Sequence, residues 1–322
     1  MLSSTHPIKI AVLDDYQRVA LRLADWSAVA ARAEITVFSD HLTDPDALVQ
    51  RLLPFDIICV MRERTPLRRA LLEKLPQLKL IASTGKRNAS IDAAAAKERG
   101  IRIVHTSYTS TPTIEHTWAL ILAGARHIVS ENASLRSGGW QRSIGEDMAN
   151  KTLGILGLGS VGAEVAKIGR AFGMDVIAWS QNLTPEVAAC AGARLVSKEA
   201  LLRESDIVSI HLVLSSRTVG LIGAQELGLM KPAARLINTS RGPIVVEADL
   251  INALHRKQIA GAAVDVFDTE PLPPEHPYRT IDSLLATPHI GYVSRDLYAK
   301  FYGDTVANIL SWLDGDAAPA AT

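Results

Sequence analysis

Apolar residues along the chain gather in short, nearly continuous runs, separated by longer stretches with helical spacing. In the first hundred residues the runs fall at 8–13, 35–38, 57–61, 78–83 and 101–104, each rich in Ile, Val or Leu. Asp14-Asp15 closes the first run. Asp44-Pro45-Asp46 opens a helix to about residue 53, and Thr65-Pro66 opens another to about residue 75. Runs that are continuous rather than alternating, spaced by helices, predict a parallel sheet covered on both faces. A long apolar helix is expected over 113–130, centred on Trp118-Ala119-Leu120-Ile121-Leu122. Such a helix is buried in its own domain or against a second subunit. After an irregular stretch at 137–150 a second series begins. Its strands are expected at 152–157, 175–179, 207–212, 234–238, 261–266 and 283–286. Helices are expected between them at 161–172, 185–191, 198–204, 223–229 and 248–256, and a final amphipathic helix at 296–313. Residues after Asp314 read as a loose end. The fold class is therefore α/β, with two doubly wound parallel-sheet domains.

The bulk numbers agree with this picture and remove some functions. A chain of 322 residues is long for one compact domain. Lys plus Arg and Asp plus Glu are equal at 34 each, so no global basic field favours nucleic acid as a partner. Residues 1–10 carry no apolar stretch of signal-peptide length, and no run reaches the ~18 apolar residues of a membrane span. The two cysteines, Cys59 and Cys190, make no disulfide framework, and no metal site is expected. A cytoplasmic protein without membrane partners is the expectation.

The strand expected at 152–157 runs directly into Gly157-Leu158-Gly159-Ser160-Val161-Gly162, and a helical pattern follows at once. In that context the glycines have distinct tasks. Gly157 permits a tight turn, Gly159 lets backbone approach a pyrophosphate, and Gly162 lets helix and strand pack closely. The helix N-terminus adds unpaired N–H groups and partial positive charge. A dinucleotide site is the reading; a glycine-rich turn without ligand, or a nucleoside site of methyltransferase type, are the alternatives. The acidic residue expected about 20 positions on, for the ribose 2′-OH, is missing. Ser180 takes that place, followed by Gln181 and Asn182. No carboxylate repels a 2′-phosphate and no adjoining cation clamps one, so NAD and NADP both stay open.

Three later segments put polar residues at strand ends. Arg241, in Asn238-Thr239-Ser240-Arg241-Gly242-Pro243, is placed to grip a carboxylate with paired charge-assisted hydrogen bonds, or else to cap a turn. Asp265 interrupts an apolar strand, so its charge needs a partner or an end-of-strand position. His289, in Thr287-Pro288-His289-Ile290-Gly291, is a candidate proton donor, and a carboxylate such as Glu270 beside it would orient the ring and favour its protonated form.

These four segments, in this order and spacing, resemble the D-isomer-specific 2-hydroxyacid dehydrogenase family. The likeness runs from about residue 78 to 313 and takes in Ile114-Glu115-His116-Thr117, residues 206–211 and Met230-Lys231-Pro232. The resemblance implies hydride transfer between a nicotinamide cofactor, NAD or NADP, and a small anionic 2-oxo or 2-hydroxy acid. It implies that Arg241 binds the substrate carboxylate, His289 donates the proton and Glu270 holds His289. Gly157, Gly159, Ser160, Val161, Gly162, Ser180, Thr239, Ser240, Asp265 and Gly291 would meet the cofactor, Asp265 at its nicotinamide end. The family fold implies a Rossmann cofactor domain, 108–292, inserted in a flavodoxin-like substrate domain, 1–107 with 293–322, with the active site in the cleft. A homodimer is expected from the apolar helix at 113–130, should that helix face a second subunit.

The chain departs from the family at the loop that holds the substrate carboxylate. Where members commonly carry Gly-x-Gly-x-Asp-Asn-Ile-Asp, this sequence has Gly85-Lys86-Arg87-Asn88-Ala89-Ser90-Ile91-Asp92. Gly85, Lys86 and Arg87 are candidate substrate-binding residues, the two cations for a second anionic group, with Arg62 and Arg64 able to join them. The alternative is solvated surface charge. A formate dehydrogenase of this fold would carry Gln at position 270. No C-terminal regulatory domain is expected. A dinucleotide-binding regulatory protein of the same fold, without turnover, is the competing class.

Overall fold

The structure, a computed structural model, describes residues 7–316. The chain forms two compact units, Met1–Thr109 with Ser294–Thr322, and Ser110–Val293.

The first unit holds five parallel strands, β1 (Ile8–Val12), β2 (Ala33–Val37), β3 (Ile57–Val60), β4 (Leu80–Ser83) and β5 (Arg102–His105), in the order β2-β1-β3-β4-β5. β3 and β4 are buried along their whole length, which explains why they are apolar throughout except for Ser83 at the end of β4. The order reverses at β1, so β1 and β3 flank a topological switch point, the edge where such sheets bind ligands. The chain returns to this unit in helix Arg295–Leu313, whose N-terminus is capped by Ser294.

The second unit holds seven parallel strands: β6 (Thr152–Leu156), β7 (Asp175–Trp179), β8 (Arg194–Leu195), β9 (Ile207–Ile210), β10 (Arg235–Asn238), β11 (Gly261–Val264) and β12 (Leu284–Ala286). Their order is β12-β11-β10-β9-β6-β7-β8, with the switch point between β6 and β9. The two faces are covered by separate cores, one built on Leu156, Val208, Leu236 and Leu250, the other on Leu153, Ile155, Val165 and Trp118.

Several expectations needed correction. The helix expected from Thr65 is only Arg69–Leu72, because Leu67 stays extended and pairs with Ile91. The long apolar helix is Thr111–Ala125; left-handed backbone at His127 breaks it, and a second helix runs over Ile128–Arg136. Its apolarity has an intrachain cause, since Trp118, Leu120 and Ile121 are buried in their own unit. The short β8, formed on β7, carries no apolar run to announce it. At the chain end, Gly315 and Asp316 still bond to the last helical turn; the rest of the expected loose end, and residues 1–6, lie outside the described residues.

Candidate active site

The glycine turn sits at the carboxyl end of β6, at the switch point. Gly157 has φ +100°, and a Cβ there would lie 2.6 Å from the His211 carbonyl oxygen. A Cβ on Gly162 would lie 2.1 Å from the carbonyl oxygen of Gly157, so only glycine lets helix Ser160–Ala171 approach the strand. Gly159 differs: nothing lies within 4 Å of a Cβ built on it, and its φ of −82° suits any residue. Packing inside the chain therefore explains Gly157 and Gly162 but leaves open space over Gly159, at a helix N-terminus with exposed Ser160 beside it. That cradle fits a dinucleotide pyrophosphate, which needs backbone N–H groups within close reach. Ser180 follows β7, next to the turn, where Gly157 N–H donates to the Trp179 carbonyl at 2.8 Å.

At the same sheet edge β10 delivers Arg241. The Asn238 side chain shapes the turn, accepting from Ser240 N–H at 3.0 Å and donating to the Arg241 carbonyl at 3.0 Å. The Ser240 hydroxyl donates to the Leu212 carbonyl, and the Thr239 hydroxyl pairs with that of Thr117 at 2.8 Å. Gly242 is required because a Cβ would lie 2.2 Å from the Phe267 carbonyl carbon. The Arg241 turn is thus packed against the segment that leaves β11. Arg241 Nη1 donates to the Ser240 carbonyl at 2.7 Å.

That segment carries Glu270, whose Oε1 accepts from Phe267 N–H at 3.0 Å and whose Oε2 lies 2.6 Å from His289 Nδ1. His289 has φ +51° and meets the Tyr292 ring edge-on at 5.3 Å between centroids. An imidazole held at one nitrogen by a carboxylate presents the other as a proton donor or acceptor. Asp265 lies just past β11 and is only 1% exposed. Its Oδ1 accepts from the Thr287 hydroxyl at 2.6 Å and Ile290 N–H at 2.9 Å, its Oδ2 from Gly291 N–H at 2.7 Å. The carboxylate is a local anchor for the loop that carries His289. Gly291 is tight against it, since a Cβ would lie 2.9 Å from Asp265 Oδ2.

In the first unit Gly85, φ +83°, follows β4, and its amide donates to the Thr106 hydroxyl at 2.8 Å. Arg62 lies across it: a Cβ on Gly85 would stand 1.7 Å from Arg62 Nη1. Arg62 also lies 5.3 Å from the Tyr108 ring centre, and Asn88 donates to its carbonyl at 2.6 Å. Arg64 is tied down instead, donating to the Asp14 carbonyl at 2.7 Å and the Tyr298 hydroxyl at 3.1 Å. Lys86 and Arg87 are exposed. The sequence signal for Arg62, a cation just past a buried strand, was available, but its contact with Gly85 was not.

Similarity to known proteins agrees with this geometry. Residues 118–291 match the model of the D-isomer specific 2-hydroxyacid dehydrogenase, NAD binding domain. Over 259 residues the chain is 40% identical to a glyoxylate reductase of Aeropyrum pernix, covering 77% of each protein. It is 36% identical over 298 residues to a glyoxylate reductase of Thermococcus litoralis, covering 89% of each. The crystal structure of a Vibrio cholerae phosphoglycerate oxidoreductase superposes with a TM-score of 0.91 at 33% identity, covering 96% of this chain and 99% of that one. The chain belongs to the D-isomer-specific 2-hydroxyacid dehydrogenase family. It is an NAD(P)-dependent oxidoreductase that interconverts 2-oxo and 2-hydroxy acids. Among the described residues no helix is long and apolar enough to cross a membrane, and no cluster of His, Cys, Asp and Glu could hold a metal.

Proposed function

We propose that Arg241, Glu270 and His289 are the catalytic residues of this dehydrogenase, and that the unit carrying them holds the dinucleotide. The observation that carries this reading is the 2.6 Å Glu270–His289 pair, on the same sheet edge as Arg241 and the open glycine cradle. When bound, a nicotinamide dinucleotide supplies or takes up the hydride. Arg241 binds the substrate carboxylate through its guanidinium. His289 gives a proton to the carbonyl oxygen as a 2-oxo acid is reduced, and Glu270 fixes the ring and balances its charge. Ser160, Val161 and Gly162 offer the pyrophosphate their N–H groups. Thr239 and Ser240 meet the cofactor mainly through backbone, because their hydroxyls serve internal bonds. Asp265 and Gly291 stand at the nicotinamide end and hold the His289 loop in place.

The decisive measurement is His289→Ala. Turnover should fall by about a thousandfold or more while NADH affinity, read by fluorescence titration, stays within about threefold. An unchanged kcat rejects the proton-donor role.

The first unit, which we read as the substrate domain, supplies substrate-binding residues: Gly85, Lys86 and Arg87, with Arg62 held beside Gly85. These cations suit an anionic acid such as glyoxylate, hydroxypyruvate or 3-phosphoglycerate, substrates that match the names of similar proteins. Rates on these acids, with NADH and NADPH in parallel, identify the substrate. Ser180 sets the cofactor ratio in our reading. Ser180→Asp should move preference toward NAD by about tenfold, because a carboxylate repels the 2′-phosphate; an unmoved ratio shows that the ribose contact lies elsewhere. We also assign a cytoplasmic, homodimeric protein. Fractionation of native cells, finding it in the membrane or exported fraction, rejects the first assignment. Ile128, Val129, Leu135, Trp140 and Ile144 are exposed in the segment after the long helix, which supports a second copy covering them.

A further inference from the structure

His116 stands on helix Thr111–Ala125, outside the catalytic three. Its Nε2 lies 3.0 Å from Thr287 Oγ1 and 3.3 Å from Asp265 Oδ1. The directions of these bonds follow from counting protons. An ionised Asp265 can only accept, and Thr287 Oγ1 at 2.6 Å has one proton, which goes to that carboxylate. His116 Nε2 must then be the donor, sharing its proton between the Thr287 oxygen and Asp265. The buried carboxylate thereby receives four donors: two amides, a hydroxyl and an imidazole N–H. The ring also packs on the loop itself, since a Cβ on Gly291 would lie 3.5 Å from His116 Cδ2. The neighbouring residue acts on the other catalytic segment. Thr117 Oγ1 donates to the Thr113 carbonyl at 2.8 Å, so the Thr239 hydroxyl donates to Thr117. Two consecutive residues of one helix therefore fix both the turn that carries Arg241 and the loop that carries His289.

We propose that His116 is a positioning residue for proton transfer: its Nε2–H, given to Thr287 and Asp265, sets the loop that aims His289. The proposal rests on His289 being the proton donor.

The test is a set of variants of the full-length protein: His116→Ala, His116→Gln, Thr287→Val and the double variant His116→Ala/Thr287→Val. His116→Ala should lower kcat about ten- to hundredfold, the usual size of a small misplacement of a reacting group, with NADH affinity within about threefold. His116→Gln, which keeps an N–H at that reach, should recover most of the loss. Because His116 acts through Thr287, the double variant should be little worse than the poorer single one. In the cofactor-free protein, histidine 15N NMR should show His116 as the Nε2-protonated tautomer, with a slowly exchanging proton that Thr287→Val speeds up. If His116→Ala fails to fold, His116→Gln against Thr287→Val, with the NMR measurement, still decides. A kcat within twofold of the parent in His116→Ala, strictly multiplicative losses in the double variant, or an Nδ1-protonated ring overturns the proposal. If instead His289→Ala retains turnover, the underlying assignment of the proton donor has failed and not the positioning argument alone.

Discussion

At the scale of single residues, three glycines of one motif serve different ends, and substitution separates them. Gly162 is a packing glycine: a Cβ 2.1 Å from a backbone oxygen cannot be relieved by a side-chain movement. Gly162→Ala should cost about 2–3 kcal/mol of stability, read as a lower melting temperature and reduced soluble yield. Gly159→Ala meets nothing in the protein, so its melting temperature should match the parent while NADH affinity falls at least about tenfold. Thermal melts and fluorescence titrations of both variants check this. Equal destabilisation by the two would mean that the space over Gly159 is not a ligand cradle. The spacing alone predicts all three glycines, but not which of them the chain itself requires.

At the scale of elements, strands that end together at one edge do what their sequences cannot do singly. β9 is buried throughout and lies between β6 and β10, so the residue that follows it, His211, is held against the glycine turn. Its amide donates to the Leu156 carbonyl at 2.7 Å, and its Nε2 lies 2.8 Å from Ser209 Oγ. Burial pushes this imidazole down to about 4. The folded ring stays neutral where the unfolded ring, near 6.5, takes up a proton. Stability from this residue is therefore complete above pH ~6.5 and is lost as pH falls from there toward 4. Because part of the residue remains accessible, the loss is set at about 2 kcal/mol rather than the full shift. Urea denaturation from pH 7.5 to 4.5 should show it, and His211→Asn should flatten that limb. An acid limb of the same slope in the variant would assign the proton uptake elsewhere. The sequence shows His211 only as a polar residue after an apolar run. The strands that flank β9, β6 and β10, come from distant parts of the chain.

At the scale of the molecule, the exposed apolar segment bears on assembly. Trp140 is 73% exposed and Ile144 is 94% exposed, unusual for large apolar side chains without a partner. If a second copy covers them, Trp140→Asp together with Ile144→Asp should convert a dimer to a monomer by light scattering, with little change in the far-UV spectrum. A monomeric parent protein would dismiss the homodimer. The sequence directs attention to the helix before this segment, where the apolar residues are densest. Tertiary packing spends those residues on the internal core and leaves the less conspicuous segment outside.

The sequence by itself determined the two parallel sheets, because strands buried on both faces must be written as continuous apolar runs. It determined the glycine turn, because strand, turn and helix are contiguous there. It also drew attention to Arg241 and His289, polar residues shortly after apolar runs, while the family resemblance added Glu270 and the roles proposed for all three. Only the tertiary structure decided how these parts work together. Thr287, Asp265 and His116 are far apart in the chain and meet through strand order and a helix laid across two strand ends. Likewise Arg62 reaches Gly85 because β3 and β4 are neighbours in the sheet. Hydrogen bonds of this kind leave no local pattern, since each partner alone reads as an ordinary polar residue.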